Sequence, residues 1–193
     1  LKTGSEACAA AVRIARGKTD RDIILSEGYH GWLDEFAGLA KASVGVPHSY
    51  QLIDFGAAYS LESDIVKRPD AWDKVAAVII EPVITDWSDE RRHWLEKLRE
   101  DCTKHGVMLI FDEIITGFRF PKFSVANFWG INPDLIILGK AIANGMPLAV
   151  VGGKYDVMNG SDYFVSSTYA GETLSLAAAK KTMELLQTKH DLT

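Results

Sequence analysis

Three stretches of this 193-residue chain carry residue types that can do chemistry. Thr3-Gly4-Ser5-Glu6-Ala7 heads an apolar-periodic segment. A helix opening there leaves backbone N–H groups unpaired, adds hydroxyls, and has a glycine that lets the main chain come close, which suits a phosphate. A Ser or Thr in that place is equally an ordinary helix cap. Val107 to Phe111 reads as a strand that delivers Asp112 and Glu113 at its carboxyl end. Such a carboxylate is either a solvated strand-end charge or a group held against a ligand. Asp134 to Leu138 is a further strand, followed by Gly139-Lys140 and then the mostly small run Ala141 to Pro147, a crowded and partly desolvated place for an amine.

Phosphate cradle, carboxylate and lysine together are what pyridoxal 5′-phosphate needs. The amine forms an imine with the aldehyde, the carboxylate pairs with the pyridine nitrogen and keeps it protonated, and the ring becomes an electron sink. Tyr29-His30-Gly31 follows the strand Asp22 to Ser26 and could lay an aromatic ring on the cofactor face; ordinary core packing is the alternative for Tyr29.

Elements that would position these groups follow from the pattern of apolar residues. Asp22 to Ser26, Tyr50 to Phe55, Val75 to Ile80, Val107 to Phe111, Asp134 to Leu138 and Leu148 to Val151 read as strands, several of them continuous aliphatic runs covered on both faces. Helical periodicity spans Ser5 to Gly17, with Cys8, Ala11, Val12 and Ala15 on one stripe, and Glu90 to His105, with Trp94, Leu95, Leu98 and Cys102 inward. Asp89 is the expected N-cap of the second and Gly106 its stop. Glu172 to Lys189 forms a last helix with Leu176, Ala179, Met183 and Leu186 on one side. Alternation of this kind predicts an α/β fold, a mostly parallel sheet with helices on both faces, whose ligands bind at the carboxyl edge.

The six motifs fall in the order seen in class III aminotransferases, pyridoxal-phosphate enzymes of fold type I: Thr3 to Ala7, Tyr29-His30-Gly31, Glu81-Pro82, Phe111-Asp112-Glu113 with Thr116 to Arg119, Leu138-Gly139-Lys140 with Gly145-Met146-Pro147, and Thr168 with Gly171. The chain resembles most the branch containing glutamate-1-semialdehyde 2,1-aminomutase, since Thr-Gly-Phe-Arg follows the Asp-Glu. That resemblance implies amino-group transfer on a small amino acid or amino-aldehyde substrate. It implies Lys140 as the internal-aldimine lysine and proton shuttle, Asp112 on the pyridine nitrogen, and Glu81 near substrate and ring. Gly4 and Ser5 would hold the phosphate, Tyr29, with His30 beside it, would stack on the ring, and Ile114 would pack on the opposite face. Thr168 would reach the phosphate of a neighbouring subunit, hence a homodimer with shared sites. Departures are Thr3-Gly4-Ser5 at the first loop, Ala143-Asn144-Gly145 after the lysine, and Ala170-Gly171-Glu172-Thr173 after Thr168. The family's amino-terminal segment and carboxyl-terminal small domain have no counterpart, so residues 1–193 are expected to be the central part of the large domain. A split or truncated cofactor-binding piece without activity of its own is the competing expectation.

Other classes of function find little support. Net charge is −5, against a broad nucleic-acid footprint, and no aliphatic run exceeds Val75 to Ile80, far short of a membrane span. Two cysteines, Cys8 and Cys102, make no disulfide scaffold and point to a reducing, cytoplasmic setting, with both expected as small buried hydrophobes. His30, His48, His93, His105 and His190 show no metal-ligand spacing, and Gly152-Gly153-Lys154 lacks the rest of a nucleotide P-loop. No Gly-x-Gly-x-x-Gly follows the first strand, against a nucleotide-dependent oxidoreductase. Arg91-Arg92 and Lys180-Lys181 read as solvated faces.

Overall fold

A computed structural model describes residues 1–37, 58–61, 69–159 and 163–188. Its strands are β1 (Ile23–Glu27), β2 (Ala58–Ser60), β3 (Val75–Ile80), β4 (Met108–Asp112), β5 (Leu135–Leu138) and β6 (Val150–Gly153). Its helices are α1 (Gly4–Thr19), α2 (Asp34–Ala37), α3 (Asp89–His105), α4 (Val125–Trp129), α5 (Tyr155–Met158) and α6 (Thr173–Thr188). The strands form one sheet in the order β2-β1-β3-β4-β5-β6. β1 to β5 run parallel, and β6 returns antiparallel beside β5 with Leu135 opposite Gly153. The expected strand Tyr50 to Phe55 lies outside the described residues.

Side chains alternate across a strand, so one strand feeds two cores. Ala77 and Ile79 of β3 and Ile110 of β4 meet Ala7, Cys8, Ala11, Val12 and Ala15 of α1 on one face. Val78 and Ile80 of β3 with Leu109 and Phe111 of β4 meet Leu95, Leu98 and Cys102 of α3 on the other. β3 is buried along its whole length, which is why it reads as an unbroken aliphatic run.

α1 begins with a capping box: Glu6 N–H donates to Thr3 Oγ1 at 3.1 Å, and Thr3 N–H donates to Glu6 Oε2 at 2.9 Å. α3 is capped by Ser88, whose Oγ accepts from Arg91 N–H at 3.2 Å. This corrects the expectation of Asp89, which occupies the first helical position and favours the positive end of the helix dipole from there. Gly106 closes α3 with φ 64° as expected.

Three side chains sit otherwise than periodicity implied. Trp94 is partly exposed under the guanidinium of Arg91, whose Cζ lies 4.6 Å from the ring centroid. Leu176 and Met183 of α6 are exposed, with only Ser175 and Ala179 of that helix buried. Arg91 is no solvated residue: it donates to Glu27 Oε1 at 2.7 Å, Pro82 O at 3.0 Å and Glu81 O at 3.2 Å, tying the end of β1 to the end of β3. Lys180 and Lys181 are exposed. Lys154 pairs with buried Asp134 at 2.6 Å, a structural use of the lysine after Gly152-Gly153. Among the described residues no helix is long and apolar enough to cross a membrane.

Candidate functional site

The parallel strands bring their carboxyl ends to one edge, where a cavity of about 290 Å³ opens. Gly4, Ser5, Tyr29, His30, Glu81, Asp112, Ile114 and Lys140 all line it, although they come from five separate stretches of sequence. Thr168 does not: it lies exposed in the turn before α6.

The start of α1 supplies the phosphate-sized end. Thr3 and Glu6 spend their side chains on each other, and Ala7 N–H donates to Thr3 O. Gly4 and Ser5 N–H groups accordingly have no acceptor among the described residues. A Cβ on Gly4 would come within 2.6 Å of Ile114 Cδ1, so a larger residue there would displace the Ile114 side chain. Gly31, at φ 100°, is folded so tightly on Ser5 that a Cβ would overlap Ser5 Oγ.

Asp112 ends β4, 3% exposed. Its Oδ2 meets His30 Nδ1 at 2.8 Å and accepts from Cys8 Sγ at 3.4 Å, and its Oδ1 accepts from Ile114 N–H at 3.1 Å. His30 Nε2 lies 3.1 Å from Glu27 O. The carbonyl can only accept, so Nε2 donates to it, and the ring is thereby oriented with Nδ1 against the Asp112 carboxyl. Cys8 was expected to be a plain buried hydrophobe, and it is fully buried, but its thiol also bonds to Asp112. Burial, then the charge of Asp112, push that thiol well above the ordinary range, so it stays protonated and donates. Spacing along the sequence did not reveal that potential metal ligands Cys8, His30 and Asp112 lie within 4.8 Å of one another. A signal was present nonetheless, since Cys8 stands one helical turn from Gly4 and Ser5 on the same face.

Neighbouring Glu113 points elsewhere. Fully buried, it accepts from Val125 N–H at 2.7 Å, Ala126 N–H at 2.9 Å and Thr116 Oγ1 at 3.0 Å, capping α4. Burial raises its carboxyl above the ordinary range in spite of these bonds. Of the Asp112-Glu113 pair, one acid faces the cavity and the other is structural.

Glu81, at the end of β3, accepts from Tyr29 N–H at 2.7 Å and fixes the aromatic loop, while the Tyr29 ring is 70% exposed beside the cavity. Lys140 begins a 3-10 turn, Lys140–Ala143, in the left-handed region at φ 40°. Its side chain is exposed at the cavity, more open than the run of small residues after it suggested. Lys2 binds Glu172 Oε1 at 2.6 Å and Pro147 O at 3.0 Å, tying the loop after Lys140 to the start of α6. That lysine holds the Glu172 carboxyl down to about 2. A larger, apolar cavity of about 390 Å³, lined by Phe118, Phe123, Leu138, Met183 and Leu186 among others, contains none of the residues expected to be catalytic or to bind the cofactor.

Comparison with known proteins gives a consistent picture. The family model described as aminotransferase class-III matches residues 1–192. A glutamate-1-semialdehyde 2,1-aminomutase of Desulforapulum autotrophicum is 38% identical over 97% of this chain and 48% of its own. One of Chlorobium phaeobacteroides is 37% identical over the same shares. The chain thus spans about half the length of the curated relatives it matches. A solved structure described as a transaminase with PLP bound superposes with TM-score 0.77 at 26% identity, covering 96% of this chain and 48% of that one. The internal aldimine form of the Sphingopyxis FumI protein also gives 0.77, at 27% identity over 97% of this chain and 46% of its own.

Proposed function

Because this chain belongs to the class III aminotransferase family, we propose that it binds pyridoxal 5′-phosphate in the 290 Å³ cavity and serves amino-group transfer. One observation carries the reading: a lysine amine, a buried carboxylate and two unpaired backbone N–H groups line a single cavity. The residues fit the group in size and chemistry, since the free N–H groups of Gly4 and Ser5 suit a phosphate and Asp112 keeps acceptor capacity for a ring N–H. When bound, the cofactor supplies an electron sink to the substrate carbon.

Each side chain then has a defined task. Gly4 and Ser5 hold the phosphate, and Tyr29 and Ile114 confine the ring from its two faces. Asp112 orients the ring through its nitrogen, with His30 behind it. Glu81 holds the Tyr29 loop and borders the substrate side. Lys140 Nζ anchors the cofactor and then moves a proton at the substrate carbon. Residues 1–193 form the central part of the cofactor-binding domain in this reading, and Thr168 reaches the phosphate site of a second copy in a cytoplasmic homodimer. The aminomutase names of the relatives support return of the amino group to the same carbon skeleton. A second reading, cofactor binding without turnover by this chain alone, draws on its spanning half the length of those relatives.

Borohydride reduction after incubation with pyridoxal phosphate, followed by peptide mapping, tests the proposal. The label is expected on Lys140 and absent from Lys140→Ala; label elsewhere overturns it. Release of a second keto acid separates a transaminase from an aminomutase, and labelling without turnover favours the second reading.

A further inference from the structure

Resting on the proposed cofactor site, we infer that Cys8 is a positioning residue: its thiol, with the His30 imidazole, clamps Asp112 Oδ2 and leaves a single acceptor position, on Oδ1, for the cofactor. A carboxylate offers about four lone-pair sites. His30 Nδ1 at 2.8 Å and Cys8 Sγ at 3.4 Å fill the two on Oδ2, and Ile114 N–H at 3.1 Å takes one on Oδ1. The lone pair that remains belongs to a side chain lining the cavity, whereas Cys8 itself does not reach it. Cys8 is fully buried on α1, in the same core cluster as Ile110 and Ile137 of the sheet. The clamp therefore binds the helix that presents Gly4 and Ser5 to the strand that presents Asp112. Beyond the apolar packing of α1 on the sheet, one S–H···O bond thus links the phosphate end of the cavity to its ring-nitrogen end. Without the thiol, Oδ2 keeps a single donor and the carboxylate is held less firmly, which loosens the aim of Oδ1 at the ring nitrogen.

Two measurements test this separately from the cofactor proposal. Infrared difference spectra of cofactor-free protein, wild type minus Cys8→Ala, isolate the S–H stretch of Cys8. The band is expected at lower frequency than a free thiol and to move up in Asp112→Asn; a band at the free-thiol position, insensitive to Asp112→Asn, overturns the inference whether or not cofactor binds. Titrating pyridoxal phosphate into folded Cys8→Ala is expected to show affinity roughly fivefold weaker than wild type, as loss of about 1 kcal/mol requires. The pH midpoint of the bound cofactor's absorbance shifts too, and Cys8→Ser, which restores a donor, returns both toward wild type. An unchanged affinity and midpoint in Cys8→Ala overturns the clamp. Failure of the wild type to bind cofactor sinks the proposed function instead, and the infrared result still decides the clamp.

Discussion

Glycine at position 31 decides how closely the aromatic loop can approach the head of α1. Its φ of 100° lies where a side chain costs about 1–3 kcal/mol, and a Cβ there would overlap Ser5. Gly31→Ala is expected to lose at least that much stability in urea unfolding and to weaken phosphate-dependent binding by moving Ser5. Unchanged stability and unchanged binding would show that the loop yields freely. The cavity-lining residues were legible in sequence as a set and not singly: Lys140 after Gly139, Asp112 after an aliphatic run and Gly4-Ser5 before an apolar helix each have an ordinary reading alone, and only together do they match what one cofactor needs. Cys8 and Lys2 were not, since their partners are 104 and 170 positions away and only tertiary structure joins them. Glu113 could not be told from Asp112 by position; the pleat of β4 sends one to the cavity and the other to α4.

Asp134 shows how elements are pinned together. Placed before β5, its Oδ2 accepts from Arg99 of α3 at 2.7 Å and from Leu109 N–H of β4 at 2.8 Å, and its Oδ1 pairs with Lys154 beyond β6. Burial alone would raise this carboxyl, but Lys154, Leu109 and Arg99 outweigh it and hold it below its ordinary value of 3.8. With a folded value lower than the unfolded one, the contribution is fully present above about pH 4 and is lost as pH falls through the lower, folded value. Asp134→Asn is expected to cost about 2–3 kcal/mol at pH 7, much less near pH 2, as urea unfolding across pH would show. An equal cost at both pH values would exclude an ionic role. Strands β3, β4 and β5 were readable because burial on both faces demands unbroken aliphatic runs, and α1 and α3 because one buried stripe repeats every turn. Three-residue β2 carries too short a pattern to stand out. Trp94 and the outer face of α6 misled for a common reason, that periodicity marks an apolar stripe without saying which stretch of it is covered.

Exposed apolar side chains dominate one stretch of the molecule's surface. Between positions 164 and 174, Phe164, Tyr169 and Leu174 are 77%, 68% and 69% exposed, around the turn that carries Thr168. That turn is held against the cofactor end of α1: Ser167 Oγ donates to Glu6 Oε1 at 3.4 Å, and Lys2 grips Glu172. Large apolar groups presented on a fixed turn favour association, because removing each from water is worth roughly 1.5–3 kcal/mol. Light scattering on the purified chain is expected to give about twice its 21.3 kDa mass at micromolar concentration. Replacing Phe164, Tyr169 and Leu174 together by serine should return it to the monomer with its circular dichroism intact. A monomeric wild type, or a triple variant that still pairs, would place any contact elsewhere and leave Thr168 without a second copy to serve.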